Sequence, residues 1–117
     1  AVAVDPAMPG MGPVPAVRRL RARHREPLGR VEFTEAFAAQ IVACLDVLAI
    51  DPTIVNPGGG ALAFGHPWGA SGAVLLVRLF ADLCRGVAGG PAPVERAIAT
   101  LGVGGGIGLA ALVERAA

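Results

Sequence analysis

Two periods of apolar residues run through this chain of 117 residues. Residues 30–33 alternate charged and apolar positions, the two-residue period of a strand. Thr34 follows where an N-cap would stand, and Ala36, Phe37, Ile41, Cys44, Leu45 and Leu48 recur at three- and four-residue spacing. That predicts a helix from Thr34 to about Leu48, with Glu35 in a first turn whose dipole favours a carboxylate. Earlier, residues 1–4 read as the end of a strand and 6–15 as a loop broken by proline and glycine. Residues 16–25 read as a helix with Val17 and Leu20 on one side and five arginines on the other. Those arginines and His24 are predicted to form a solvated surface, with a grip on anionic phosphates as the minor alternative.

The second half begins with Asp51-Pro52 as a break and residues 53–55 as a short strand. A glycine-rich stretch then occupies 56–72, and a helix is predicted from about 70 to 85. Between Val74 and Cys84 that helix carries only Arg78 and Asp82 as charges, so it is apolar nearly all round. A helix of that kind is buried on most sides. One chain of this length offers little interior, so the helix is predicted to lie between two layers, one of them supplied from outside. Residues 86–93 read as a flexible loop, and 96–101 and 107–113 as neighbouring strands joined around the glycines 102–106. Strands alternating with helices, ending in a strand pair, predict an α/β fold of about four to five strands in a mixed sheet, with helices on both faces.

Composition narrows the role. The chain is the size of one domain, residues 1–117. Its apolar content of 54% and mean hydropathy of +0.61 are high for a small domain. Ten basic residues, all arginine, against nine acidic ones leave no charge excess for binding nucleic acid or a membrane surface. The prolines, the glycines, Asn56 and His66 argue against a membrane span in the long uncharged run 52–77. Two cysteines make neither a disulfide framework nor a metal site, and both are predicted to lie in the core. No targeting segment is legible, so a reducing cytoplasm is the expected location.

Candidate chemistry concentrates in 56–72, NPGGGALAFGHPWGASG, which holds His66 between Gly65 and Pro67 and the single tryptophan, Trp68. Pro57 and Pro67 exclude one continuous helix, and the glycines suit a loop whose backbone approaches something closely. The loop leads into a helix N-terminus, where free N–H groups favour negative charge. The bland reading is a tight connection with a satisfied, inert histidine. Gly58-x-Gly60-x-x-Ala63 imitates a dinucleotide fingerprint, but Gly65 and Pro67 interrupt the helix it requires. Gly60 to Gly65 has phosphate-loop spacing without the lysine, and Gly69-Ala70-Ser71-Gly72 lacks the last glycine of a nucleophile elbow.

The run GGGALAFGHPWGASGA closely resembles the glycine–histidine signature of thiolases, which make or cleave 3-ketoacyl-CoA thioesters. VEFTEAFAAQ resembles the NEAF segment of that family, and ATLGVGGGIGLA its C-terminal cysteine–GGG segment, in the same order. VDPAMPGMGPVPAVRR is similar to the lead-in to this half. The resemblance covers essentially the whole chain and implies a thiolase-like C-terminal half, with one helix layer buried against a partner half. It implies a coenzyme A thioester as substrate, with no metal or other cofactor. It places His66 as the group that activates the nucleophile and donates to the thioester oxygen, and Gly104 as a backbone donor to a second oxyanion. Thr34 stands where the family has an asparagine that orders water. Gly102 stands where it has a second cysteine for proton transfer, so that acid/base is missing. Ala70, Ser71 and Phe37 are implied to contact the substrate. The nucleophilic cysteine belongs to the N-terminal half and is not in this chain. The implied roles are a split-enzyme subunit working with that half, a non-catalytic acyl-CoA-binding or scaffolding subunit, or a piece of a longer chain, with self-association as another source of the missing layer.

Overall fold

The computed structural model describes residues 1–85 and 94–116. The loop expected at 86–93 lies outside the described residues. One mixed sheet organises the fold: β1 (Val2–Ala3), β2 (Arg30–Phe33), β3 (Arg96–Val103) and β4 (Ile107–Glu114), in the order β1-β4-β3-β2. β3 and β4 form an antiparallel hairpin, β1 pairs antiparallel with the start of β4, and β2 runs parallel to β3. The four strands agree with the expected mixed sheet. The strand expected at 53–55 is instead a 3-10 turn, Pro52–Ile54, from which only Val55 bridges to Val31. Its cause is local: the Asp51 carboxylate accepts the Thr53 N–H at 2.8 Å, and Pro52 fixes the first turn position.

Helices cover both faces. α1 (Pro13–Arg21) and α2 (Ala38–Leu48) share one face, where Val14, Val31, Phe33, Ile41, Cys44 and Val55 form the core. α1 begins earlier than the pattern predicts, because prolines at 13 and 15 are well tolerated in a first turn. Its N-terminus lies so close to β4 that a side chain at Gly108 would strike the Gly12 backbone, which is why both positions hold glycine. Arg18, Arg19, Arg23, Arg25 and His24 are exposed, as expected of a solvated face.

α2 departs from its predicted start. Thr34 does not cap it: the Thr34 N–H donates to the Thr100 carbonyl at 3.1 Å, continuing the ladder beyond β2. The chain then bends, with the Ala36 N–H donating to the Thr34 carbonyl at 3.2 Å, Phe37 is extended at φ −147°, and the helix starts at Ala38. Glu35 is therefore outside the helix. Cys44 is fully buried as predicted, and burial, opposed by a hydrogen bond from Gln40, pushes its thiol pKa up. α2 ends at Ala49, which adopts the left-handed conformation with φ 51° and ψ 43°.

α4 (Ser71–Arg85) covers the other face alone. Leu75, Leu79 and Leu83, one per turn, pack against Ala97 and Ala99 of β3. Burying each leucine contributes roughly 2 kcal/mol. The opposite side of the helix is bare: Val77 and Phe80 are 68% and 63% exposed, with Val74, Leu76 and Cys84 beside them. Cys84 is thus on the open side rather than in the core, because the three-leucine stripe alone meets the sheet. Within this chain the helix is buried on one side only. An exposed apolar stripe of this size is characteristic of an interaction surface.

Candidate functional site

Polar side chains on the sheet face under α4 make an uncommon layer. In β2 the period of two sends Val31 and Phe33 into the core and Arg30 and Glu32 toward α4. Arg78 Nε donates to Glu32 at 2.6 Å, and Arg30 Nε lies 3.2 Å from Asp82. Burial raises the Glu32 pKa; hydrogen bonding and charge from Arg78 oppose the rise. A second Arg78 nitrogen donates to the Gly59 carbonyl at 2.6 Å, and the guanidinium sits 5.2 Å from the centre of the Phe64 ring. These contacts tie the glycine-rich segment to α4.

That segment is more ordered than a plain loop. It contains a one-turn helix, α3 (Ala61–Phe64), and a 3-10 turn, Trp68–Ala70, that runs straight into α4. Gly59 and Gly65 have φ of 86° and 95°, where only glycine is comfortable. Two non-glycine residues share left-handed geometry, Asn56 at 43° and Trp68 at 46°. For a tryptophan that conformation costs about 1 kcal/mol or more.

Just past the end of β2, a cleft of about 490 Å³ opens between this segment and the last residues of β3 with the turn that follows them. Thr34, His66, Ser71, Gly102 and Gly104, five of the seven residues singled out from sequence, line it. Leu101, Val103, Leu109 and Trp68 make much of the remaining wall apolar. Phe37 is 72% exposed at the start of α2 and does not line the cleft. Ala70 ends the 3-10 turn, exposed, and is also not in the lining.

His66 is exposed, with Nδ1 2.6 Å from Ser71 Oγ. Ser71 is buried. A hydroxyl can donate to the ring nitrogen or accept from it. The contact therefore fixes the ring while permitting either neutral tautomer, so Nε2 can act as donor or as base. Thr34 Oγ1 is buried and has no protein partner among the described residues, a polar group in the wall of the cleft. At Gly102 an added Cβ would come no nearer than 3.6 Å to Pro13. Neither packing nor positive φ forces glycine there. At Gly104 an added Cβ would meet nothing within 4 Å, so the backbone is open.

Sequence reasoning missed two residues. Asn56 is buried, and its amide clamps Phe33 by accepting from N–H and donating to C=O, each at 2.8 Å. Glu35 accepts from Asn56 Nδ2 at 2.8 Å and from the Leu62 N–H at 2.9 Å. The available signal was a carboxylate beside Thr34, the residue that follows β2 and lines the cleft.

Among the described residues no helix is long and apolar enough to cross a membrane, and no cluster of three potential ligands for a metal ion occurs. A family model described as thiolase, C-terminal domain, matches residues 1–115. The chain is 47% identical to the putative acetyl-CoA C-acetyltransferase VraB of Staphylococcus aureus, over 97% of this chain and 28% of that protein. It is 46% identical to the protein of the same name from Staphylococcus epidermidis over the same shares. The solved structure of Bacillus anthracis acetyl-CoA acetyltransferase superposes with a TM-score of 0.86 at 38% identity, covering 98% of this chain and 28% of that one. Human mitochondrial 3-ketoacyl-CoA thiolase gives 0.86 at 34% identity, over 97% and 28%. The chain spans little more than a quarter of the length of these relatives.

Proposed function

Because the chain belongs to the thiolase family as a thiolase C-terminal domain, we propose that it provides one wall of an acyl-CoA acyltransferase site. A thiolase-like N-terminal half provides the other wall and the nucleophilic cysteine. The observation that carries this reading is the His66–Ser71 contact at the mouth of a cleft that also gathers Thr34, Gly102 and Gly104. Acyl transfer needs a nucleophile, a base and donors aimed at developing oxyanions. With Ser71 holding Nδ1, Nε2 of His66 takes the thiol proton from the partner's cysteine and later donates to the thioester oxygen. Gly104 offers its backbone N–H to the second oxyanion without a side chain in the way. Thr34 Oγ1 holds a polar ligand at the wall. The exposed stripe of α4 is the surface on which the partner half would pack.

The test uses the chain assembled with its nucleophile-bearing half. His66→Ala is expected to lower thioester turnover by roughly 10²–10³-fold, as for one lost oxyanion donor or base. Its unfolding midpoint should stay close to wild type, because the ring is exposed. Unchanged turnover, or no turnover by the wild-type assembly, removes the catalytic reading.

Gly102 favours a second reading, a non-catalytic acyl-CoA-binding or scaffolding subunit. Glycine at this point in the cleft offers no group for proton transfer at the substrate α-carbon. Gly102→Cys is sterically admissible and should cost less than about 1 kcal/mol of stability. If the site is otherwise competent, this change introduces exchange of the α-protons of an acyl-CoA, measured by deuterium uptake. If acyl-CoA binds but neither form exchanges protons or transfers an acyl group, the binding subunit is the better description.

A further inference from the structure

Turning His66 into a useful base requires the ring to be held from more than its own hydrogen bond. It sits at the far end of a segment that begins at Asn56, and Gly65, at φ 95°, precedes it directly. Ser71 fixes the ring, but only at Nδ1. The remaining restraint comes from the other side. The Glu35 carboxylate uses one oxygen on Asn56 Nδ2 and the other on the Leu62 N–H, at 2.8 and 2.9 Å. Asn56 is itself locked to both backbone groups of Phe33 at the end of β2. Leu62 lies in α3, whose last turn closes with the Gly65 N–H on the Ala61 carbonyl at 2.9 Å. One carboxylate thus joins the end of β2 to the short helix that delivers His66. Its chain neighbour, Thr34, lines the cleft.

Two features show that this seat is specific. Both groups on the carboxylate are neutral N–H donors, one on each oxygen, so the pattern demands two acceptors. A side chain at Gly60 would land on the carboxylate itself, so the backbone there is shaped around Glu35. We propose that Glu35 is a positioning residue for His66, holding the α3 turn at the height where the ring meets Ser71 and faces the cleft. This rests on the proposed acyl-transfer function of the same cleft, and the test separates the two.

Glu35→Gln keeps the size of the side chain but turns one acceptor into an NH₂ group, which must then face either the Asn56 NH₂ or the Leu62 N–H. In the assembled protein, this change is expected to lower kcat for thioester turnover about 10- to 100-fold, with KM for the acyl-CoA within about threefold. A misplacement of the order of 1 Å in a reacting group is sufficient for such a loss. The second readout does not depend on activity. In ¹⁵N-labelled protein, the His66 ring nitrogens report whether Nδ1 keeps its hydrogen bond to Ser71. Glu35→Gln is expected to move the Nδ1 signal toward that of an unbonded ring. If the ring signals are unchanged, Glu35 does not position His66, whatever happens to kcat. If kcat stays within threefold of wild type while the wild-type assembly is active, the proposal also fails. If the wild-type assembly turns over no thioester, the function fails while the ring signals still decide the positioning role. Should Glu35→Gln not fold, Gly60→Ala displaces the same carboxylate from the loop side and is read by the same two outcomes.

Discussion

Replacing Arg78 by methionine should destabilise the protein in a manner that depends on pH. Glu32 is only 1% exposed, against 26% for Arg78, so removing the cation leaves a carboxylate buried without its partner. Breaking a buried pair in this way costs about 3–5 kcal/mol. The lost hydrogen bond to the Gly59 carbonyl adds about 1 kcal/mol. Because Arg78 is partly exposed and methionine restores packing, a net loss near 3 kcal/mol is expected at pH 8. The Glu32 pKa is already raised in the fold by burial, with Arg78 holding it back. A folded-state pKa above the unfolded one means that the folded protein binds more protons, so stability falls as pH rises through that window. Without Arg78 the folded pKa rises further, and the window extends upward from the ordinary carboxylate value near 4.5. Urea unfolding of the assembled protein at pH 5, 6, 7 and 8 should show a small loss at pH 5 that grows toward pH 8. The double variant Glu32→Gln with Arg78→Met should recover more than half of the loss and flatten its pH dependence. A loss equal at pH 5 and pH 8, or below about 0.5 kcal/mol throughout, would refute the role given to this pair.

Other consequences are directly measurable. Ala49→Gly removes a left-handed alanine at the end of α2 and should stabilise by about 0.5–1 kcal/mol in urea unfolding, the relief exceeding the added backbone entropy. Cys44 should resist iodoacetamide in the native state, being buried with a raised pKa, while Cys84 reacts in any state that leaves the outer face of α4 open. Adding the nucleophile-bearing half should protect Cys84, and the chain alone should sediment as something other than a stable micromolar monomer; free Cys84 labelling in the assembly would mean that the partner packs elsewhere.

Much of the fold was legible because its signals are local. Residues 30–33 alternate cleanly, the glycines within 102–106 mark a turn, which the structure narrows to 104–106 by carrying β3 on to Val103, and the apolar run in α4 is long. What escaped the pattern was decided by partners distant in sequence. Thr34 has the chemistry of a cap, but its N–H pairs with Thr100 on the sheet, and a tight turn at Ala36 separates it from the helix that starts at Ala38. Cys84 shares its helix with three buried leucines, yet periodicity could not assign the one side that meets the sheet when both sides are apolar. His66, Ser71, Thr34, Gly102 and Gly104, which the fold gathers along one cleft, could be singled out because motifs mark them. Glu35 and Asn56 were not, since a carboxylate that accepts only from a side-chain amide and a backbone N–H leaves no charge pattern to read. Phe37 reads from the pattern as core or as a substrate contact, and its extended backbone at the start of α2 leaves the ring exposed, outside this chain's core and outside the cleft lining.

The parallel register of β2 beside β3 also orders events in time. Arg30 faces Ala97, so closing that pair links positions 97 − 30 = 67 apart, whereas Val103 and Ile107 of the hairpin are only four apart. On loop-closure entropy alone the first contact costs about 2.5 kcal/mol more than the second. The hairpin of β3 and β4 is therefore expected to form early, with β2 docking on it later and bringing Thr34 against the β3 end of the cleft. Conservative truncations in the hairpin should then slow folding, while those in 56–66 should mainly speed unfolding. The cleft would be assembled last, and opening its glycine-rich wall would be among the earliest steps by which the protein comes apart.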